Sequence, residues 1–308
     1  MKYITPAYYP DFKCIASACH HSCCIGWEVD IDADTLAAYG SMTNPYAEAI
    51  RESIDYDGEP HFRLSSGDRC PHLSECGLCN IITECGESAL SQICSDHPRY
   101  RSFYDGVTEI GLGLSCEEAS RLVLESENPI GFLISDSEDF TTAEYRAEYP
   151  VELFADDDRF VVDEKYRFLY IACNSDLSIN DRIVELLPNM PSVEDIKTLL
   201  LSLEILNEDW RKRVELVSAK DFDLDFAKCS DYIERTISAF IFRHINCESF
   251  YSPATVAAFA ALSAMIVAAL SKSREDFVDT LRAYSAEVEY STDNTEKLLD
   301  FIEEHIAL

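Results

Sequence analysis

The sequence is poor in positive charge: its 308 residues include 25 lysines and arginines against 57 aspartates and glutamates, a net charge of −32. Both the part up to Ser120 and the part after it are acidic. A protein that binds nucleic acid needs a basic face to neutralise phosphates. The composition therefore argues against a nucleic-acid partner and favours cationic partners, such as metal ions or lysine-bearing surfaces.

The sequence also lacks a strongly apolar segment of the kind found in signal peptides and membrane spans. Its first residues, MKYITPAYYPDFKC, have no apolar core. The longest apolar run, residues 254–270, is rich in alanine and interrupted by Thr255 and Ser263, whereas a spanning helix needs about 20 predominantly apolar residues. We therefore expect no membrane segment, a cytoplasmic location and reduced thiols.

Internal repeats and low-complexity segments are missing too, and hydrophobic residues make up 47% of the chain. The chain can thus bury a substantial core, which excludes a disordered protein, and its length suggests two domains or one large one. An acidic stretch over residues 125–158, with an Asn128-Pro129 turn, favours a boundary there. We predict a cysteine-rich domain over residues 1–125 and an acidic helical domain over residues 126–308.

Hydrophobic spacing predicts different structures in these two parts. The front combines loops with short strands, one of them over WEVDID with Trp27, Val29 and Ile31 on one face, and short helices around residues 87–94 and 117–125. After Asp163 the apolar residues recur with helical spacing. The helices predicted there cover residues 164–173, 180–187, 193–217, 224–245, 253–270, 275–289 and 295–306. The expected fold class is mainly α: a loop-rich, cysteine metal-binding N-terminal part with short strands, followed by a helical bundle or array.

What the sequence does contain is cysteine, with ten of its 13 between Cys14 and Cys116. In a cytoplasmic protein such clustering favours metal ligation over disulfides, and soft sulfur ligands select zinc, copper(I) or iron-sulfur centres. The other three, Cys173, Cys229 and Cys247, lie in apolar helical stretches and are expected in the core.

The cysteine spacing limits the kind of site. Cys76 and Cys79 form a CxxC with no second one, which does not support a simple zinc ribbon. Adjacent Cys23 and Cys24 would point to opposite faces of an extended segment, and they would then serve two centres or two irons of one cluster. Histidines among the cysteines could replace a thiolate, although hydrogen bonding to a ligand is their commoner role; these are His20, His21, His72 and His97.

An ordered set of residues in the first 125 positions carries a specific resemblance. The set consists of PAYYPDFKC, CHHSCCIGWEVDID, Cys70-Pro71-His72-Leu73, Gly77-Leu78-Cys79 with Ile81, Gly86-Glu87 with Leu90, Cys94, Pro98-Arg99, and Leu114-Ser115-Cys116 with Glu118-Ala119 and Arg121-Leu122. With it the chain resembles the flagellin lysine N-methylase family, whose front is similar to bacterial zinc- or iron-chelating domains rich in CxxCxxCC. Further back, only FIFRH at residues 240–244 is similar to the family.

The resemblance implies a function and a ligand set. It implies methyl transfer from S-adenosylmethionine to lysine side-chain amines of flagellin or a similar surface protein, with an iron-sulfur cluster, [4Fe-4S], and zinc as the alternative metal. The ligands it implies are Cys14, Cys19, Cys23, Cys24, Cys70, Cys79, Cys94 and Cys116. Eight thiols exceed the four that one [4Fe-4S] cluster needs, so either two centres exist or some thiols are structural. The chain departs from the family pattern at Cys76, Cys85 and His97.

Other interpretations stay open at this point. EIGLGLS, residues 109–115, is similar to the ExGxGxG turn of common methyltransferases, but a strand that delivers Cys116 to a helix N-terminus is the favoured reading. The chain could also be a non-enzymatic zinc- or iron-sulfur-binding module with a helical interaction domain, or an iron-sulfur oxidoreductase. The sequence assigns neither a catalytic base nor a donor site.

Overall fold

The protein is described by a computed structural model that covers residues 1–126, 131–223 and 226–306. About 52% of the chain is helical and 11% is strand, so the predicted mainly α class is confirmed. The strands are β1 Lys2–Pro6, β2 Ile54–Asp55, β3 His61–Phe62, β4 Arg99–Tyr104, β5 Val107–Leu112, β6 Phe132–Ser135 and β7 Glu144–Arg146. The predicted Asn128-Pro129 turn lies outside the described residues.

Helices occupy most of the second half of the chain. The first five are α1 Ala33–Ser41, α2 Ala47–Glu52, α3 Asn80–Cys85, α4 Gln92–Asp96 and α5 Glu117–Glu125. The others are α6 Arg159–Cys173, α7 Ile179–Leu186, α8 Val193–Ser202, α9 Glu208–Leu216, α10 Phe226–His244, α11 Pro253–Leu270, α12 Arg274–Tyr284 and α13 Thr292–His305. A π-helical turn, Ser285–Glu289, follows α12.

The residues pack into two compact units that are not consecutive in sequence. The cysteine unit consists of Lys13–Arg99 and Cys116–Glu118, and the helical unit consists of Met1–Phe12, Tyr100–Ser115 and Ala119–Leu308. The boundary at residue 125 stays a prediction, while packing assigns residues 1–12 and 100–115 to the helical unit because their strands pair there.

The helical unit contains a five-stranded sheet in the order β4-β5-β1-β6-β7, which the sequence analysis did not predict. The central strand β1 runs parallel to β5, with Ile4 opposite Glu109, and antiparallel to β6, with Ile4 opposite Ile134. Strand β5 is followed by helix α5. The expectation that this strand leads Cys116 to a helix N-terminus is therefore confirmed.

The core of the helical unit is built around α11, which packs against α10. Helix α11 is long and apolar enough to cross a membrane, but 89% of that window is buried inside the protein, as in a core helix. At its start the Ser252 side chain accepts a hydrogen bond from the Thr255 N–H, which caps the helix. The predicted helix over residues 193–217 is instead two helices, because Asn207 caps a new start at α9.

The cysteine unit has little regular structure: short helices α1 to α4 and the hairpin of β2 and β3. WEVDID is no strand, since Asp30 forms only an isolated bridge with His61. Val29 and Ile31 are buried as expected, but Trp27 is exposed. The unit has its own apolar cluster, which consists of Val29, Ile31, Tyr39, Ile50, Ile54, Phe62, Cys70 and Ile81.

Candidate metal centre in the cysteine unit

All 13 cysteines are thiols rather than disulfides. The ten cysteines from Cys14 to Cys116 all belong to the cysteine unit, so packing collects residues that lie up to 102 positions apart in sequence. The three others belong to the helical unit. Cys173 is half-buried against Ser238, whereas Cys247 is exposed and lies 3.3 Å from Asp158 Oδ1. The expectation of a core position is thus wrong for Cys247, because this residue follows α10 in a turn.

One set of thiols, here called the outer group, comprises Cys14, Cys19, Cys23 and Cys116. Cys14 and Cys23 are exposed, and the other two are half-buried. Cys19 Sγ lies 3.8 Å from Glu117 Oε2. Burial raises the pKa of the Cys19 thiol to about 11, and the nearby negative charges of Glu117, Cys116 and Cys14 add to the effect.

Glu117 connects the two chain segments that supply the outer group. Its Oε2 accepts a hydrogen bond from the His20 backbone N–H at 2.9 Å, and its Oε1 lies 3.0 Å from His20 Nδ1. The hydrogen bond with Glu117 raises the pKa of the exposed His20 ring. Since Glu117 follows Cys116 and His20 follows Cys19, these contacts keep the two cysteines in one place.

A second set, here called the inner group, comprises Cys24, Cys70, Cys79 and Cys94. Cys70 belongs to the buried apolar cluster, and the other three pack against it. The Cys70 backbone N–H donates a hydrogen bond to the Cys24 carbonyl at 2.8 Å. Burial raises the pKa of the Cys70 thiol to about 12, with smaller contributions from the other three thiols. Burial also raises the pKa of Cys79 and of Cys94.

Cys23 and Cys24 lie in a turn, so the expectation for an extended segment does not apply. Their thiols share a hydrogen bond, which raises the pKa of Cys23 and lowers that of Cys24. Their other neighbours differ. Cys14 and Cys116 raise the pKa of Cys23, whereas Cys24 raises the pKa of Cys70. The adjacent pair therefore stands where the outer and inner groups meet.

The two cysteines outside the family pattern have different surroundings. Cys76 is exposed, and its Sγ lies 3.2 Å from Ser74 Oγ. Cys85 ends α3, packs against the apolar cluster and contributes to the raised pKa of Cys79. Cys85 is thus a neighbour of the inner group, whereas Cys76 contacts a hydroxyl.

The histidines among the cysteines differ in burial and in hydrogen bonding. His72 is buried, with Nδ1 3.0 Å from the Tyr46 hydroxyl and Nε2 2.8 Å from Ser53 Oγ. Burial lowers the pKa of His72 to about 4. Both ring nitrogens have hydrogen-bond partners, so His72 supports the packing around Tyr46 and Ser53. His97 packs near Trp27, and burial lowers its pKa.

In the described parts of the chain, no three His, Cys, Asp or Glu side chains are close enough to hold one metal ion. The predicted ligands therefore share neighbourhoods without forming a tight single-ion site. Tetrahedral zinc with bonds of about 2.3 Å would bring its sulfurs to about 3.8 Å from one another.

The glycines of EIGLGLS make room for tyrosines of the helical unit. A Cβ atom at Gly111 would collide with the Tyr100 ring, and one at Gly113 would collide with the Tyr290 hydroxyl. The motif's acid, Glu109, is fully buried and pairs with Lys165. The space beside these two glycines is occupied by the protein's own side chains, which favours the interpretation of this segment as a sheet strand over a nucleotide-binding turn.

The buried pair of Lys165 and Glu109 was not predicted. Lys165 Nζ lies 2.6 Å from Glu109 Oε2, and it donates hydrogen bonds to the Tyr104 hydroxyl and the Phe242 carbonyl. Burial raises the pKa of Glu109 and lowers that of Lys165, while their mutual attraction opposes both shifts. The one sequence feature that could have indicated this pair is the position of Lys165, a charged residue inside an apolar helical segment.

Comparison with known proteins finds relatives of part of the chain. Proteins named lysine-N-methylase, from Salmonella choleraesuis (strain SC-B67) and Salmonella typhimurium (strain LT2), are each 30% identical over 135 residues, which covers 40% of this chain and 33% of the relative. A flagellar biosynthetic protein, FliU of Salmonella muenchen, is 29% identical over 152 residues, or 46% of this chain and 88% of the relative. No model of a protein family matches, and no solved structure matches.

Proposed function

We propose that this protein is an iron-sulfur protein lysine N-methyltransferase, which transfers methyl groups from S-adenosylmethionine to lysine side-chain amines of flagellin or a similar surface protein. The observation that carries the proposal is the similarity to proteins named lysine-N-methylase. The chain spans about a third of the length of those relatives. The name of the third relative, a flagellar biosynthetic protein, supports a flagellar substrate.

The proposed ligands are the eight cysteines of the outer and inner groups. They fit a metal centre chemically, because all of them are soft thiol donors gathered in one unit. Eight thiols exceed the four that one tetrahedral zinc ion binds, which supports more than one metal atom in this unit. An iron-sulfur cluster supplies one-electron chemistry or, at an iron with an open position, a Lewis acid.

Methyl transfer places two demands on the protein. The lysine amine has a pKa of about 10.4, so it must lose a proton before its nitrogen can attack. A nitrogen-carbon bond then forms as the sulfur-methyl bond of the donor breaks, and the donor leaves as the neutral thioether. The acidic chain, with its net charge of −32, would attract the cationic lysine substrate.

The test is methyl transfer by the metal-loaded chain under anaerobic conditions. The protein would be incubated with methyl-labelled S-adenosylmethionine and flagellin, and the hydrolysed product would be examined for methylated lysine. We expect labelled lysine from the loaded chain and from its Cys76→Ser variant, since Cys76 lies outside both groups. A folded, loaded chain that leaves flagellin lysines unlabelled would contradict the proposal.

A non-enzymatic metal-binding module is the second candidate. It is favoured by one observation: the tyrosines packed against Gly111 and Gly113 remove the only sequence signal for a donor site. Equilibrium dialysis with S-adenosylmethionine distinguishes the two. Binding to the loaded chain supports the methyltransferase, and its absence supports the module.

A further inference from the structure

The eight predicted ligands are twice the number that one four-thiolate centre uses. In the structure these eight cysteines fall into the inner and the outer group, which differ in the residues that surround each thiol. The inner group lies against the apolar cluster, whose member Cys70 is 7% exposed. The outer group comes from residues 14–23 and from Cys116, and two of its four residues, Cys14 and Cys23, are exposed.

Resting on the proposed iron-sulfur function, we propose that the cysteine unit holds two separate four-thiolate metal centres rather than one. The inner centre, with Cys24, Cys70, Cys79 and Cys94, is structural. The outer centre, with Cys14, Cys19, Cys23 and Cys116, faces solvent and is the one that a substrate or reductant can reach.

The inner centre is structural because its ligands are part of the unit's core. The Cys70 backbone N–H donates a hydrogen bond to the Cys24 carbonyl, and the backbone of Cys79 forms an isolated β-bridge with Leu73. Ligands that are separated in sequence and embedded in a small apolar cluster couple metal binding to folding. A metal bound there links the start, the middle and the end of the unit.

The outer centre is organised by a carboxylate outside the ligand set. Glu117 contacts His20 through both its oxygens and lies 3.8 Å from Cys19 Sγ. Four thiolates beside this carboxylate would repel one another, and a bound cationic metal removes that repulsion. Glu117 is thus a positioning residue, which holds Cys19 and Cys116 together without being a ligand.

The adjacent cysteines Cys23 and Cys24 supply one thiol to each centre. The thiols of Cys23 and Cys24 contact each other; beyond that contact, Cys23 has Cys14 and Cys116 as neighbours, and Cys24 has Cys70, Cys79 and Cys94. Two neighbouring residues can be ligands of two centres because each belongs to a different group of thiols. The ligands of the two centres are therefore adjacent in sequence at Cys23 and Cys24.

The test is metal content, measured on the full chain reconstituted anaerobically with iron and sulfide. Iron, sulfide and zinc per chain would be compared among the wild type, Cys14→Ser/Cys116→Ser, Cys70→Ser/Cys94→Ser and the control Cys76→Ser. We expect the outer variant to keep about half of the wild-type metal and the control to keep all of it. We also expect a chelator to remove metal from the wild type in two phases, of which only the slow phase persists in the outer variant.

Two results would overturn the proposal. One is a wild type that binds a single centre and loses it in both double variants. The other is an outer variant that is folded by circular dichroism yet holds no metal. Because the inner variant can fail to fold, the decision rests on the outer variant and on the two phases in the wild type. Absence of methyl transfer would count against the proposed function and leave these metal counts valid.

A second readout tests the role of Glu117. Glu117→Gln keeps the hydrogen-bonding shape but removes the charge, and Glu117→Ala removes both. We expect the alanine variant to lose about 10-fold or more in metal affinity at the outer centre, with the inner centre and the slow chelation phase unchanged. Glu87→Ala, on the same unit, is the control. Equal metal retention in all three variants would contradict a positioning role.

Discussion

The helical unit and the cysteine unit deal with buried polar groups in opposite ways. In the helical unit, charges are matched inside the chain: Lys165 lies 2.6 Å from Glu109, and His244 Nε2 lies 2.9 Å from the fully buried Glu289. In the cysteine unit, thiols lie beside other thiols, and burial together with neighbouring thiols raises the pKa of Cys19 and of Cys70. One unit pairs these buried charges with opposite charges, whereas the other gathers groups that can become anions together.

This difference indicates which unit gains stability from a bound cation. Buried charges in proteins are normally paired, and like charges gathered without a counter-ion are costly. In the helical unit, Lys165 and Glu109 meet this requirement by pairing with each other. The cysteine unit gains most from a cation, because its helices and strands are short and its apolar cluster is small.

Removal of metal is the strongest way to test this contrast, and we expect it to act on one unit only. Structural metals contribute on the order of 10 kcal/mol to small domains. A chelator under reducing conditions should therefore make residues 13–99 sensitive to protease, while the helical circular dichroism of the other unit persists. Proteolysis mapped by mass spectrometry measures this. Equal protease resistance with and without metal would remove the contrast.

Breaking the buried ion pair should damage the other unit. Lys165→Met leaves Glu109 buried without its partner, and we expect a loss of about 3–5 kcal/mol in the free energy of unfolding. Urea denaturation followed by circular dichroism measures it. Lys165→Met combined with Glu109→Gln should recover much of the loss, because no buried charge is then left uncompensated. Lys212→Ala, which breaks an exposed pair with Asp209, should change stability by less than about 1 kcal/mol.

These contrasts also show what could be read from the sequence. Helices such as α10 and α11 were predicted, because an apolar spacing of 3.6 residues is a local signal. The sheet was missed because β1 and β5 pair although they lie about 100 residues apart, and no local pattern encodes such a pairing. Lys165 was missed because its charge predicts exposure, and only the position of Glu109 explains its burial.

For the cysteine unit, too, only part of the structure could be predicted from the sequence. The sequence predicted that its thiols gather, since their number and spacing were visible. It could not predict the division into outer and inner groups, because that depends on which loop packs against the apolar cluster. The loop conformation around Cys23 and Cys24 is set by tertiary contacts, and the extended segment assumed for it is a turn instead.

Substitution of one glycine in each unit should change the stability by a smaller amount and in opposite directions. Gly111→Ala in the helical unit should cost about 1–3 kcal/mol, because the new methyl group would collide with the Tyr100 ring. Gly40→Ala in α1 of the cysteine unit meets no atom within 4 Å and should stabilise the helix by up to about 1 kcal/mol. Thermal unfolding of both variants measures the effects. A neutral Gly111→Ala would show that Tyr100 moves aside freely.

The smallest predicted effect concerns Asp32, the cap of α1 in the cysteine unit. Its carboxylate accepts hydrogen bonds from the Thr35 hydroxyl at 2.6 Å, from the Gln92 N–H at 2.9 Å and from the Thr35 N–H at 2.9 Å. These bonds, led by that of the Thr35 hydroxyl, lower its pKa to about 2. We expect Asp32→Ala to cost about 1 kcal/mol at neutral pH.

The sign of its pH dependence follows from the lowered pKa. A carboxylate with a lower pKa in the folded state stabilises that state above its unfolded pKa of about 3.9. The contribution is lost as the pH falls from about 4 through 2. Unfolding of the metal-loaded wild type and Asp32→Ala should therefore differ at pH 7 and converge near pH 2. Because metal loss also destabilises the unit in acid, Glu48→Ala, on the neighbouring helix α2, serves as the control. A difference between wild type and Asp32→Ala that persists at pH 2 would mean that the side chain acts through packing and not through its charge.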